Sequence, residues 1–150
     1  MTLEILLAER EIYRAVVGVA RAMDDRDWTA LEALLLPDMT ADMGTGPLQG
    51  SAAVIAMIRS FLDDCGPTQH LLGNVMIDVD GDTARSRAYV SDMHVGVDDK
   101  AGRTFSTLGD YHDQWRRVEG RWRISHRAKL NRAHIGSIDV LGPGPASWQG

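Results

Sequence analysis

One cysteine, Cys65, is all that the 150 residues contain. It has no partner for an internal disulfide or a thiolate metal pair, which fits a reducing compartment. Positive charge is also short, with 16 Lys and Arg against 21 Asp and Glu and a net charge of −5. Phosphate binding leans on clustered cations, so neither nucleic acid nor an anionic membrane is an expected partner. No apolar run approaches the ~18 residues of a membrane helix. The opening MTLEILLAER carries acids where a secretory leader carries a basic region, so the expected location is cytoplasmic. GTGPLQG is not a G-x-G-x-x-G loop, and no G-x-S-x-G elbow, Walker loop or H-E-x-x-H occurs. No cluster of histidines and carboxylates stands at ligand spacing, so no metal site is expected.

Helical and strand periodicities divide what is there. Residues 3–25 repeat apolar side chains at helical spacing through Ile5, Ile12, Val16, Val19, Ala20 and Met23. Asp27 reads as the N-cap of a second helix, WTALEALL, which Pro37 ends. MTADMG suits a short strand before the glycine-rich turn GTGPLQG, and a third helix starts at Ser51 and stops at Gly66-Pro67. The period then becomes that of strands over 68–78, 83–97, 103–118 and 121–132, joined by hairpin turns. The tail GSIDVLGPGPASWQG reads as irregular. Helices followed by hairpin-linked strands predict one α+β domain, a curved antiparallel sheet with helices on one face.

Asp24 and His70 are the residues that ask for a role. On the first helix Asp25 shares a face with Arg14 and Arg21, a surface ion pair. Asp24 instead lies above Tyr13, Val17 and Ala20. A carboxylate on that face must find a donor or shift its pKa, unless it only caps the helix end. His70, in PTQHLLGN, opens a strand that is otherwise apolar. It is either a satisfied core residue or, with Asp24, half of a general-base pair whose carboxylate fixes the imidazole tautomer. His94 alternates with Ala84, Ser86, Ala88, Val90 and Asp92. Those small neighbours suit a cavity wall, and a half-exposed strand end is the alternative. Tyr111 and Arg127 are further pocket candidates, although several arginines nearby can line a solvated face. Met23 and Met43 are adaptable apolar linings. His112, His126 and His134 receive no role.

The succession AMDDRDW, DMTADMG, TQHLLGN, DGDTARSRAYV and GDYHDQWRRVEGRWRI resembles the SnoaL-like branch of the nuclear-transport-factor-like cone folds, over nearly all of residues 5–132. Within that branch the chain is most similar to the scytalone dehydratases, and also to the hexachlorocyclohexane dehydrochlorinases and bile-acid dehydratases. The resemblance implies a cone-shaped sheet wrapped around a pocket and an Asp–His dyad that removes a proton in an elimination. It places that dyad on Asp24 and His70. A second dehydratase histidine matches His94 within a one-residue gap, and a dehydrochlorinase arginine matches Arg127. The chain departs where two dehydratase tyrosines fall on Met23 and Met43, a serine and an asparagine on Gly109 and Tyr111, and a dehydrochlorinase lysine near Val19.

The expectation is therefore a cofactor-independent lyase acting on a small, largely apolar cyclic molecule. Asp24, His70, His94 and Arg127 would be catalytic, with His94 as the acid. Tyr13, Met23, Met43 and Tyr111 would contact the substrate. An isomerase or cyclase, or a non-catalytic binding module, are the alternatives. The exposed sheet face and the tail suggest a homo-oligomer, and the dehydratase resemblance suggests a trimer.

Overall fold

A computed structural model describes residues 1–148. Helix α1 (Leu3–Asp24) begins at Thr2, whose hydroxyl oxygen accepts the Ile5 N–H at 3.2 Å. It buries Ile12, Val16, Val19 and Met23 along one stripe. Complete burial of side chains of this size contributes about 1.5–3 kcal/mol each. Helix α2 (Trp28–Ala33) starts at the Asp27 cap, whose carboxylate accepts the Ala30 N–H. It stops sooner than its apolar run suggests, because the residue before a proline avoids the helical region. Leu35 and Leu36 therefore open strand β1 (Leu35–Asp42), which runs through Pro37.

The glycine-rich stretch is more than a turn. Within it β2 (Pro47–Gln49) pairs back on β1 as a short edge strand, where a proline is tolerated. Helix α3 (Ser51–Leu62) follows. Four long strands complete the chain: β3 (Thr68–Asp80), β4 (Thr83–Val95), β5 (Thr104–Val118) and β6 (Arg121–Gly136). The sheet order is β2-β1-β6-β5-β4-β3. Its hairpin neighbours are antiparallel as expected, but β1 pairs parallel with β6, which makes the sheet mixed. Three helices on a curved, open, mixed sheet constitute an α+β fold.

Two bulges determine what faces inward. In β3, Asn74 and Val75 oppose the single residue Ala88, and Asn74 takes φ 50°. The inward phase thereby moves from His70 and Leu72 to Val75, Ile77 and Val79, which pack on the core. β6 has an extra residue at Ser125 and another at Arg132, and the one at Ser125 re-phases the stretch over the core. Trp122 and Ile124 point inward before it, and Arg127 and Lys129 after it. A bulge re-aims side chains in this way by inserting one residue into a period of two.

Candidate active site

The end of α1 lies against the start of β3, and the Asp24 carboxylate takes three hydrogen bonds there. The His70 ring donates Nδ1–H to Oδ1 at 2.7 Å, the His70 amide donates to Oδ2 at 2.9 Å, and the Thr68 hydroxyl donates to Oδ1 at 2.9 Å. Burial alone would raise the Asp24 pKa, but the bonds from His70 and Thr68 outweigh it and hold the group below its ordinary 3.8. An ionised carboxylate only accepts, so the His70 proton sits on Nδ1 and Nε2 is left bare. Arg26 braces the junction. Its guanidinium donates to the Thr68 hydroxyl, to the Met23 carbonyl and to the Gly66 carbonyl, each at 2.8 Å.

His94 faces His70 edge-on, with ring centroids 5.6 Å apart. It donates Nδ1–H to the Phe105 carbonyl at 3.0 Å, so its Nε2 is also bare. Burial pushes the His94 pKa below its ordinary 6.5, against the opposing pull of Asp92. The acid role expected of His94 thus meets a ring that is neutral at pH 7.

Beside it stands a pair that strand alternation did not single out. Asp92 is fully buried and accepts the Thr107 N–H and hydroxyl at 2.6 Å each and the Lys129 ammonium at 2.9 Å. Burial would raise its pKa, but Lys129 and Thr107 bring it below the ordinary value. A second buried pair joins Arg127 to Asp113 through two parallel bonds of 2.7 and 2.8 Å. The Arg127 guanidinium also covers the Tyr111 ring at 3.9 Å, and burial raises the Tyr111 pKa.

These groups edge a cavity of about 1260 Å³. His70, His94, Tyr111, Arg127, Met23 and Met43 all line it. Asp24 stands behind His70 and does not reach the wall. Tyr13 is a correction: it is 51% exposed on the outside of α1, beside the buried stripe and three turns before the helix end where β3 covers Asp24. The small residues of β4 are also placed differently. Ala84 and Ala88 oppose Trp115 and Tyr111, and Ser86 accepts the Trp115 indole N–H at 2.8 Å, so they make room for aromatic rings, not for a ligand. The tail closes one side of the cavity through Leu141, Pro143 and Trp148, the last packed edge-on against Phe61. His134 reaches the wall as well.

Among the described residues the fold gathers one set of potential metal ligands that spacing had hidden. His70, Asp92 and His94 offer ligand atoms within 4.8 Å of one another. The chemistry of that set suits a dication poorly, because the Lys129 ammonium already occupies Asp92.

A SnoaL-like domain matches residues 4–128. An uncharacterized protein of Mycobacterium tuberculosis (strain ATCC 25618 / H37Rv) is 31% identical over 121 residues, 79% of this chain and 82% of its own. Two solved structures from Novosphingobium aromaticivorans are also similar. One, provisionally named an aromatic ring hydroxylase, is 27% identical over 87% of this chain and 93% of its own, with a TM-score of 0.77. The other, provisionally named a scytalone dehydratase, is 23% identical over 91% and 92%, with a TM-score of 0.78. A hexachlorocyclohexane dehydrochlorinase from Novosphingobium barchaimii LL02 reaches a TM-score of 0.80 at 15% identity, over 90% of this chain and 93% of its own. The last two likenesses speak for the fold. Domain match, fold and sequence identity agree, and the chain belongs to the SnoaL-like domain family.

Proposed function

We propose that the protein is a cofactor-independent lyase that eliminates a small group from a largely apolar cyclic substrate. The observation that carries this is the 2.7 Å contact between Asp24 and His70, with His70 opening on the cavity. The bare Nε2 of His70 takes a proton from a ring carbon beside an activating group. The electron pair of that C–H bond moves toward the activating group and then expels the neighbouring hydroxyl. A carbon–carbon double bond forms and the carbon–oxygen bond breaks. The proton on His70 leaves with the hydroxyl as water, and Asp24 stabilises the imidazolium in between. Neutral His94 accepts a hydrogen bond from the leaving hydroxyl and orients it.

A second reading has its own support. His94 is a depressed base and not a ready acid, which favours an isomerase in which His70 returns the proton to another carbon of the same molecule. Cyclic β-hydroxy ketones and cyclic enones incubated in deuterated water separate the two. A lyase yields a product lighter by one water. An isomerase yields solvent deuterium in an unchanged skeleton. If neither product forms with the wild type, or if both persist in His70→Ala, the catalytic reading is overturned and a binding module takes its place.

A further inference from the structure

The Lys129–Asp92 pair has no part in the dyad, yet its lysine stands on the cavity wall beside it. An ammonium has three N–H donors. Two are used, one on Asp92 Oδ2 at 2.9 Å and one on Thr107 Oγ1 at 3.1 Å. Lys129 lines the cavity and its side chain keeps 16% exposure, so the third donor has the cavity to serve. A Cβ on Gly109 would stand 3.2 Å from Lys129 Cε and 3.0 Å from Asn131 Oδ1, so the glycine leaves the lysine stem room to cross β5. Asp92 is the strand partner of His70 in β3–β4, and Tyr111 is the strand partner of Lys129 in β5–β6. One buried carboxylate thus has the base on one side and the cation on the other.

Burying such a pair is a poor way to gain stability, since an apolar pair of similar volume does as well or better. Its effect is instead to hold a positive charge at a fixed point on a largely apolar cavity wall, where a charge acts more strongly than in water. Arg127 is less free to do this. Its fork is locked on Asp113, one face lies on Tyr111 and its side chain is 5% exposed.

We propose that Lys129 is the oxygen-recognition residue of this cavity, and that its ligands are cyclic ketones and phenols whose ring-borne oxygen carries or gains negative charge. The catalytic meaning rests on the lyase reading: when His70 removes the proton, the electron pair moves onto the oxygen that Lys129 holds. The binding claim needs no turnover.

The test uses 4-nitrophenol and 4-nitro-1-naphthol, whose phenol and phenolate forms absorb differently. The wild type is expected to bind at least one of them as the phenolate, at a pH below the probe's own pKa. Lys129→Met should weaken phenolate binding about 10–100-fold, the scale of one charge-assisted hydrogen bond. Because that change strands Asp92, the double variant Asp92→Asn/Lys129→Met serves beside it and should show the same loss. Asp25→Asn, exposed at the end of α1 and away from the cavity, should keep the phenolate signal. Binding of the neutral phenol only, binding of neither probe, or a phenolate signal that survives both Lys129 variants would overturn the assignment. Intact Lys129-dependent binding with no turnover in any ketone screen would overturn the lyase reading alone.

Discussion

At the scale of single residues the dyad makes the sharpest prediction. His70→Ala should abolish turnover with the fold intact. Asp24→Asn should cost on the order of 10²–10⁴ in rate, because an amide can orient the ring but cannot stabilise its cation. The double variant should be scarcely worse than the worse single one, as expected of two residues acting as one unit. Asp25→Asn should leave the rate within about two-fold, since the next side chain along is turned about 100° away and exposed. Equal damage from Asp24 and Asp25, or additive losses in the double variant, would remove the dyad. Helical phase alone separated these neighbours, and Asp24 was legible because carboxylates rarely sit on a buried stripe. The same phase argument misplaced Tyr13. Eleven residues are three turns plus about 20°, so Tyr13 shares the direction of Asp24 but stands about 16 Å back along the axis, away from the β3 contact that covers Asp24. Lys129 was hidden for another reason. Counted by twos from Trp122 it points to solvent, and only the extra residue at Ser125 turns it inward.

At the scale of elements, bulges and prolines account for most of what periodicity could not place. The four long strands and three helices follow from pattern and turn chemistry. The start of β1, the edge strand β2 and the parallel β1–β6 pairing do not, because each depends on a partner distant in sequence. The β3 bulge is testable through Asn74, whose positive φ suits asparagine and glycine but strains a β-branched side chain. Asn74→Gly should change stability by only a few tenths of a kcal/mol. Asn74→Val should destabilise by about 1–2 kcal/mol. Denaturant titration of both variants reads this directly. If valine is as well tolerated as glycine, the bulge geometry is not what aligns His70 with the core below it.

At the scale of the whole molecule, acid and self-association both follow from where the charged and apolar groups lie. His94 has a folded pKa below its ordinary 6.5, so the unfolded chain takes up the proton first. Stability from its burial is complete above pH 6.5 and declines as the pH falls from there toward the folded pKa. Asp24 and Asp92 are also depressed, from 3.8, and their contribution is lost only as the pH falls below that value toward their folded pKa. The melting temperature should therefore fall in two stages, and His94→Asn should flatten the first; an unchanged first stage would assign it elsewhere.

The outer face of the sheet carries the other consequence. Pairing registers place Leu71 in one row with Leu108, and Tyr89 in the next with Leu130. All four are exposed, and so are Met93 and Ile135 at the same end. Asp110 stands between Tyr89 and Leu130 in their row, paired with Arg132 at 2.8 Å, so the face offers a partner both apolar surface and charges of each sign. A second copy of the same face meets that description, since it supplies the same rows and the same paired charges. We propose that the protein self-associates through it, as a trimer on the dehydratase resemblance. Light scattering should give about three times the 16.5 kDa chain mass. Leu130→Glu combined with Leu71→Glu should return a monomer with unchanged circular dichroism. A wild type that is monomeric at micromolar concentration, or a double variant that still assembles, would rule this face out as the interface.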